Sequence, residues 1–416
     1  MREYSTPAVT EVAPTARLTD IVFDRAAHDP GAVILRRKAG PSLIGGTAQD
    51  TGAGLWQDVT AQAFAADVVT LAKGLIAADI SEGDRVALMS RTRYEWTLMD
   101  YAIWAAGAVT VPIYETSSAE QVEWILGDSG ARAVVVETSS HLRTVTEVLE
   151  RLPAVSQVWQ MEEPAPTGQP TEPTPAGSRA DERDLGKPAI VESLRSLAAE
   201  GGNVTDEQAE RRRNSRAATD LATIIYTSGT TGRPKGCTLT HGNLLASVCN
   251  AIRGPLAGVF DMPEASTLLF LPLAHVFARV IQVGCLEAGV VLGHTADVSG
   301  LLPDLASFQP TFILAVPRVF EKVYNGAEQK AAASKIRGLI FHAAAQTAIA
   351  WSRASGETGT SASGGPGLRA RRALFDHLVY GKLRAAVGGR VSYAVSGGAP
   401  LGERLGHFFR GAGITI

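Results

Sequence analysis

Cysteine is scarce: three residues in 416, Cys237, Cys249 and Cys285, with no CxxC pair among them. So sparse and odd a set argues against a disulfide framework and suits a reducing cytoplasm better. The eight histidines show no HExxH or other zinc spacing, so no structural metal site is expected. Basic charge is not in excess. A formal net charge of −3 argues against a nucleic-acid partner, which needs a basic surface. The short run of Arg211, Arg212 and Arg213 reads as a solvated helix face. Long apolar runs are also missing. The most apolar stretch, Tyr101 to Tyr114, is too short to span a bilayer and is broken by Gly107 and Pro112. Met1 to Leu18 has no apolar core behind a basic start, so no signal peptide is expected. These absences point to a cytoplasmic protein, one still able to touch a membrane surface.

What is present is a well-packed composition, 45% hydrophobic and 19% charged, with room for two or three units or one large α/β body. From Leu18 to about Gln160, helix and strand patterns alternate. Thr92 with Glu95, and Ser117 with Glu120, read as capping boxes opening two helices. Val122, Ile125 and Leu126 share one face of the second, and Gly130 stands near its end. The short apolar runs Arg85–Met89, Val109–Ile113 and Ala133–Val136 read as strands of parallel βαβ units. Residues 162–188 are rich in Pro, Thr, Glu and Gly and read as a flexible surface excursion. Alternation then resumes, with strands at Leu221–Thr227, Thr267–Leu271 and Phe312–Ala315 and a helix at His241–Arg253. Lys330 to Trp351 reads as one long helix. A low-complexity loop from Ser355 to Gly367 separates it from a basic amphipathic helix around Arg369–Val387. A strand at Arg390–Val395 follows.

The most informative string runs from Tyr226 to Gly236 behind the apolar strand: Tyr226, Thr227, Ser228, Gly229, Thr230, Thr231, Gly232, Arg233, Pro234, Lys235, Gly236. Its glycines leave backbone N–H groups unobstructed, and hydroxyls and the Lys235 ammonium surround the same space. That is a cradle for phosphate oxygens, with a cation against polyphosphate charge. A hydroxyl there can also complete the shell of Mg²⁺, which takes oxygen ligands. The Walker A spacing is excluded, because Lys235 follows Pro234 and precedes Gly236. The bland alternative is a Gly/Thr-rich hairpin without a ligand.

Tyr226 to Gly236 resembles the phosphate-binding signature of the acyl-adenylate-forming superfamily. Two later motifs fall in the family's order. Leu271-Pro272-Leu273-Ala274-His275-Val276-Phe277 resembles the next one, and Ser396-Gly397-Gly398-Ala399-Pro400-Leu401 resembles the adenine-contacting turn. Val316 to Val323 and the Lys/Arg-rich insertion 330–389 resemble segments of long-chain fatty acyl-CoA synthetases. The resemblance covers essentially the whole chain. It implies the layered α/β N-terminal body of such an enzyme, with parallel-rich sheets flanked by helices. Residues 1–18 would form a tail, 19–160 a first α/β subdomain, and 189–416 a subdomain with the phosphate loop and acyl site.

The implied reaction is ATP-dependent activation of a long-chain fatty acid to acyl-AMP and then acyl-CoA, with AMP and pyrophosphate released. Both reactants of the first half are anions, so charge neutralisation and alignment matter more than proton transfer. By resemblance, Ser228, Gly229, Thr230, Thr231 and Gly232 hold the β and γ phosphates, Lys235 supplies charge, and Thr227 contacts Mg²⁺. His275 and Val276 lie near the acyl and adenylate groups, Gly397, Gly398 and Ala399 under the adenine. Arg279 stands where some relatives gate the acyl tunnel, its bland reading being a surface arginine. ATP, Mg²⁺ and coenzyme A are the implied cofactors and co-substrates. The basic, amphipathic helices of Lys330–Val387 would suit peripheral contact at the inner membrane surface, a solvated helical face being the favoured reading, and a homodimer is compatible with the resemblance. Alternatives are an adenylation domain loading a carrier protein, or a non-catalytic nucleotide- or lipid-binding fragment. The family pattern continues with a Tyr-Gly-x-Thr-Glu motif, a ribose-binding Asp and a small C-terminal domain, none of them in this sequence. The expectation is an incomplete, inactive ligase that ends inside an apolar strand, Gly413 to Ile416.

Overall fold

A computed structural model describes residues 7–39, 55–162, 190–227, 233–297, 299–356 and 365–416. The expected excursion 162–188 lies outside them except for Glu162, and so do Ser228, Gly229, Thr230, Thr231 and Gly232 and most of the loop expected at Ser355–Gly367. Two compact units form. One is Met1–Gly254 with Pro272–Glu287, the other Pro255–Leu271 with Ala288–Ile416. The units therefore do not divide at residues 162–188, and the phosphate-loop strand belongs with the first βαβ units.

The first unit carries a hairpin of β1 (Val33–Lys38) and β2 (Trp56–Thr60), antiparallel. Its main sheet has seven strands: β3 (Arg85–Met89), β4 (Val109–Ile113), β5 (Ala131–Val136), β6 (Gln157–Gln160), β7 (Ile190–Ser193), β8 (Leu221–Thr227) and β9 (Lys235–Thr240). They are ordered β7-β6-β5-β3-β4-β8-β9, all parallel except the β8–β9 pair. β4 is buried at every residue and β3 at all but its first, the mark of parallel strands covered on both faces. Val111, Ile113, Val122, Ile125, Leu126, Val134 and Val136 make one apolar core beside them.

The helix Ala119–Ser129 opens with a capping box of Ser118 and Gln121, one residue later than the expected Ser117 and Glu120. It closes on Gly130 at φ 63°, where the Arg85 guanidinium donates to the carbonyls of Ser129 and Gly130 at 2.8 Å each. The box expected at Thr92 and Glu95 does not form. The helix Tyr94–Ala105 begins after Arg93 without a side-chain cap. The Thr92 hydroxyl accepts instead from the Leu273 N–H at 3.2 Å, and Glu95 accepts from Arg93 Nε at 2.6 Å.

The second unit pairs β10 (Ser266–Leu269) with β11 (Val291–His294), and β12 (Phe312–Ala315) with β13 (Tyr393–Ser396), both parallel. The expected long helix from Lys330 is two helices, Pro317–Ala332 and Lys335–Ala354. The first starts at a proline, whose fixed φ and missing N–H suit that position. The expected helix Arg369–Val387 is Pro366–Phe375, a π-helical turn Asp376–Tyr380, and Gly381–Ala386. The last four residues form no strand, only a bridge of Thr415 to Tyr393. Tyr324, Phe341, Phe408 and Phe409 pack edge-on or tilted, Tyr324 to Phe408 at 4.8 Å between centroids. Among the described residues no helix is long and apolar enough to cross a membrane.

Candidate functional site

β4 and β8 are neighbours in the main sheet, and their chain connections depart in opposite directions, to β5 beyond β3 and to β9 at the edge. In open α/β sheets such divergence leaves a crevice at the carboxyl ends of the strands. A cavity of about 360 Å³ lies there, bordered by Pro112 and Tyr114 from β4 and its exit, Tyr226 and Thr227 from β8, and His275 and Val276.

Strand pairing fixes the two ends of the Gly/Thr-rich segment. Thr227 is registered opposite Lys235, and Tyr226 opposite Gly236. The Thr227 hydroxyl and the Lys235 ammonium therefore flank the start and finish of the Gly/Thr-rich segment. Both are exposed, and among the described residues Lys235 has no ion-pair partner. The stem is also fixed from the side, since Trp124 Nε1 donates to the Pro234 carbonyl at 2.8 Å and the Arg233 guanidinium lies 4.6 Å from the Trp124 ring centre. The Tyr226 hydroxyl donates to Asp128 Oδ2 at 2.5 Å. Burial, and after it this carboxylate, push the Tyr226 phenol above its ordinary value, so it stays a neutral donor at physiological pH.

Gly236 is a positioning residue that the motif string contained without explanation. A Cβ there would lie 2.8 Å from Ile224 Cγ2 and 3.1 Å from Tyr226 Cζ. Gly236→Ala is expected to push Tyr226 off Asp128 and cost about 1–3 kcal/mol. Thermal melts with and without ATP check this: the melting point should fall, and the rise produced by ATP should shrink.

His275 is exposed and lines the cavity. Its Nδ1 accepts from the Phe277 N–H at 3.2 Å, capping the start of the helix Val276–Ala288. An accepting Nδ1 puts the proton of the neutral ring on Nε2. His275 thus offers one N–H donor to an anion in the cavity.

Arg279 is not a surface arginine. Its side chain is 0% exposed and pairs with Asp100, also 0% exposed, through Nη2 at 2.7 and 2.8 Å. It also donates to Thr223 Oγ1 at 3.0 Å and lies between the Trp96 and Trp104 rings. One turn past His275, the helix faces the core. A bare cation there would be untenable, so a buried carboxylate meets it. Burial raises the Asp100 carboxyl, and the Arg279 guanidinium opposes that rise.

Thr227, Lys235, His275 and Val276 are thus gathered on the first unit. Gly397, Gly398 and Ala399 belong to the second. There the Gly397 N–H donates to the Ala315 carbonyl at 3.1 Å, Gly398 takes φ 78°, and Gly398 and Ala399 are exposed. This turn presents bare backbone of the kind a flat ring can cover. Among the described residues no group of three His, Cys, Asp or Glu could hold a metal ion. Mg²⁺ carried on nucleotide phosphate does not need one, because it keeps waters and takes one or two protein oxygens. The Thr227 hydroxyl fits that role.

A family model described as AMP-binding enzyme matches residues 24–416. The chain is 46% identical over 418 aligned residues to the long-chain-fatty-acid–CoA ligase FadD15 of Mycobacterium bovis, covering all of this chain and 62% of the relative. It therefore spans less than two thirds of that protein's length. Among solved structures, the adenylation domain of a carboxylate reductase from Mycobacterium chelonae superposes with a TM-score of 0.64 at 18% identity, covering 97% of this chain and 57% of that one. The N-terminal domain of FACL13 from Mycobacterium tuberculosis gives 0.57 at 20% identity, with 96% and 74% covered. These two likenesses bear on the fold.

Proposed function

The chain belongs to the AMP-binding enzyme family, and we propose that it works in a ligase that activates long-chain fatty acids with ATP, first to acyl-AMP and then to acyl-CoA. The observation that carries this reading is the register of Thr227 opposite Lys235 at the two ends of the Gly/Thr-rich segment, with Thr227 lining the same cavity as His275 and Val276. Lys235 offsets phosphate charge, and the His275 N–H can donate to an anionic oxygen of the acid or of the adenylate. This reaction needs no protein nucleophile and base: the carboxylate is the nucleophile, and the protein must align two anions and lower their repulsion. Bound Mg²⁺ would neutralise phosphate charge, with Thr227 as a protein oxygen beside it. The long-chain preference is supported by the 46% identity to a relative with that name. A cytoplasmic location, which the free thiols Cys237, Cys249 and Cys285 suit, is part of the same proposal.

ATP–pyrophosphate exchange on the protein carrying this chain tests the reading. Palmitate should stimulate exchange strongly and acetate hardly at all, and coenzyme A should then release AMP. Equal stimulation by both acids would remove the long-chain preference and leave adenylation standing. Exchange with no carboxylate at all would remove both.

A further inference from the structure

The second unit contains a pocket of about 630 Å³ between the helices Pro317–Ala332 and Lys335–Ala354 and the π-helical turn with its following helix. None of its lining residues belongs to the Thr227–His275 cavity. Its wall is apolar, formed by Val323, Ala327, Phe341, Val379 and Leu383, among others. Four cations stand around it, Lys322, Lys330, Arg337 and Lys382, and no Asp or Glu lines it. All four are exposed, and among the described residues none has an ion-pair partner.

A basic stripe on one helix is commonly just a solvated face. Here the cations converge from three helical segments on a single apolar concavity, in a chain whose net charge is −3. Their mutual repulsion is relieved by no lining carboxylate. The π-helical turn Asp376–Tyr380 supplies Leu378 and Val379 to the wall. Such turns recur at functional sites, where the extra residue redirects side chains. Tyr380 anchors it, donating to the Ala344 carbonyl at 2.7 Å.

We infer that this pocket binds a single-chain anionic amphiphile, its alkyl chain in the apolar concavity and its head among Lys322, Lys330, Arg337 and Lys382. A volume of this size is typical of a small-molecule site, and four cations favour an anionic head over a neutral one. Exposed Ile336 and Leu339 nearby would also suit a bilayer, but a flat lipid surface does not need a concavity of about 630 Å³. The inference does not depend on the ligase reading.

Photolabelling of the whole protein with a palmitate analogue bearing a diazirine on its chain tests it. Cross-links should map to the segments Lys322–Ala331 and Leu378–Ala386. Excess palmitate or palmitoyl-CoA should suppress them, the stronger competitor showing whether the free acid or the thioester is preferred, while palmityl alcohol should compete poorly. Gly326 faces open space, with no atom within 4 Å of a Cβ built on it. Gly326→Leu should therefore fold, fill the pocket and abolish these labels. Lys330→Glu with Lys382→Glu should weaken labelling about tenfold, whereas Lys235→Ala should leave the same labels intact. Labels that never fall in these segments, or that persist in Gly326→Leu, would overturn the inference. So would labels appearing only when the probe is presented in phosphatidylglycerol vesicles, which would assign the surface to a bilayer.

Discussion

Arg279→Ala is expected to destabilise the first unit by about 3–5 kcal/mol, the usual effect of stranding one partner of a buried ion pair. The magnitude follows from what the guanidinium holds. Both carboxylate oxygens of Asp100 accept from Arg279 Nη2, at 2.7 and 2.8 Å, and Thr110 Oγ1 and Gln282 Nε2 complete its shell at 2.7 and 3.1 Å. Without Arg279, a carboxylate whose side chain is 0% exposed must stay charged without its cation or take up a proton. The cavity left between Trp96 and Trp104 adds a packing loss. Urea melts at neutral pH measure the effect. The pair Arg279→Met with Asp100→Leu should recover part of the loss, because no buried charge remains, although Thr110 and Gln282 lose a partner. A single variant within about 0.5 kcal/mol of the wild type would behave like an ordinary surface substitution and would contradict the buried-pair account. The consequences reach the site, since Thr110 lies in β4 and Thr223 in β8, the two strands whose ends border the cavity.

That network also shows what local pattern reading leaves out. Arg279 and Asp100 are 179 residues apart, and no periodicity links them. A charged residue on an apolar helix face was the available signal, and its partner could come only from the fold. The strands β3, β4 and β12 lie where their apolar runs place them, because parallel strands buried on both faces are continuous in hydrophobicity. The cap at Ser118 was ambiguous by one residue, since Ser117 with Glu120 fits the same pattern. β9 escaped notice because most of it is exposed and lacks an apolar run. The long insertion was legible as helical, but its breaks at residues 333–334 and at the π-helical turn were not read from its composition. At the site, residue types suggested phosphate chemistry, which is the proposed role. The pairing of Thr227 with Lys235, the support from Trp124 and Asp128, and the need for glycine at position 236 required the β8–β9 register.

Lys235→Ala is expected to slow adenylate formation about 10²–10³-fold while leaving the melting temperature nearly unchanged. The two halves of that prediction have different origins. Lys235 is exposed at the end of a strand pair, and its backbone, not its ammonium, keeps the register with Thr227, so the fold loses little. The proposed reaction would lose a fixed positive charge where polyphosphate charge must be offset, and water cannot replace a preorganised cation without reorganising. Lys235→Arg keeps the charge in a different shape and should fall between the two. Thr227→Ala separates the hydroxyl from the charge: it should raise the Mg²⁺ concentration needed for ATP binding in calorimetric titrations, whereas Lys235→Ala should weaken ATP binding at every Mg²⁺ concentration and flatten its dependence on ionic strength. ATP–pyrophosphate exchange and calorimetry on the same preparations give both readouts. Wild-type exchange by Lys235→Ala would show that the ammonium does not face phosphate, and the segment between Thr227 and Lys235 would then need another role.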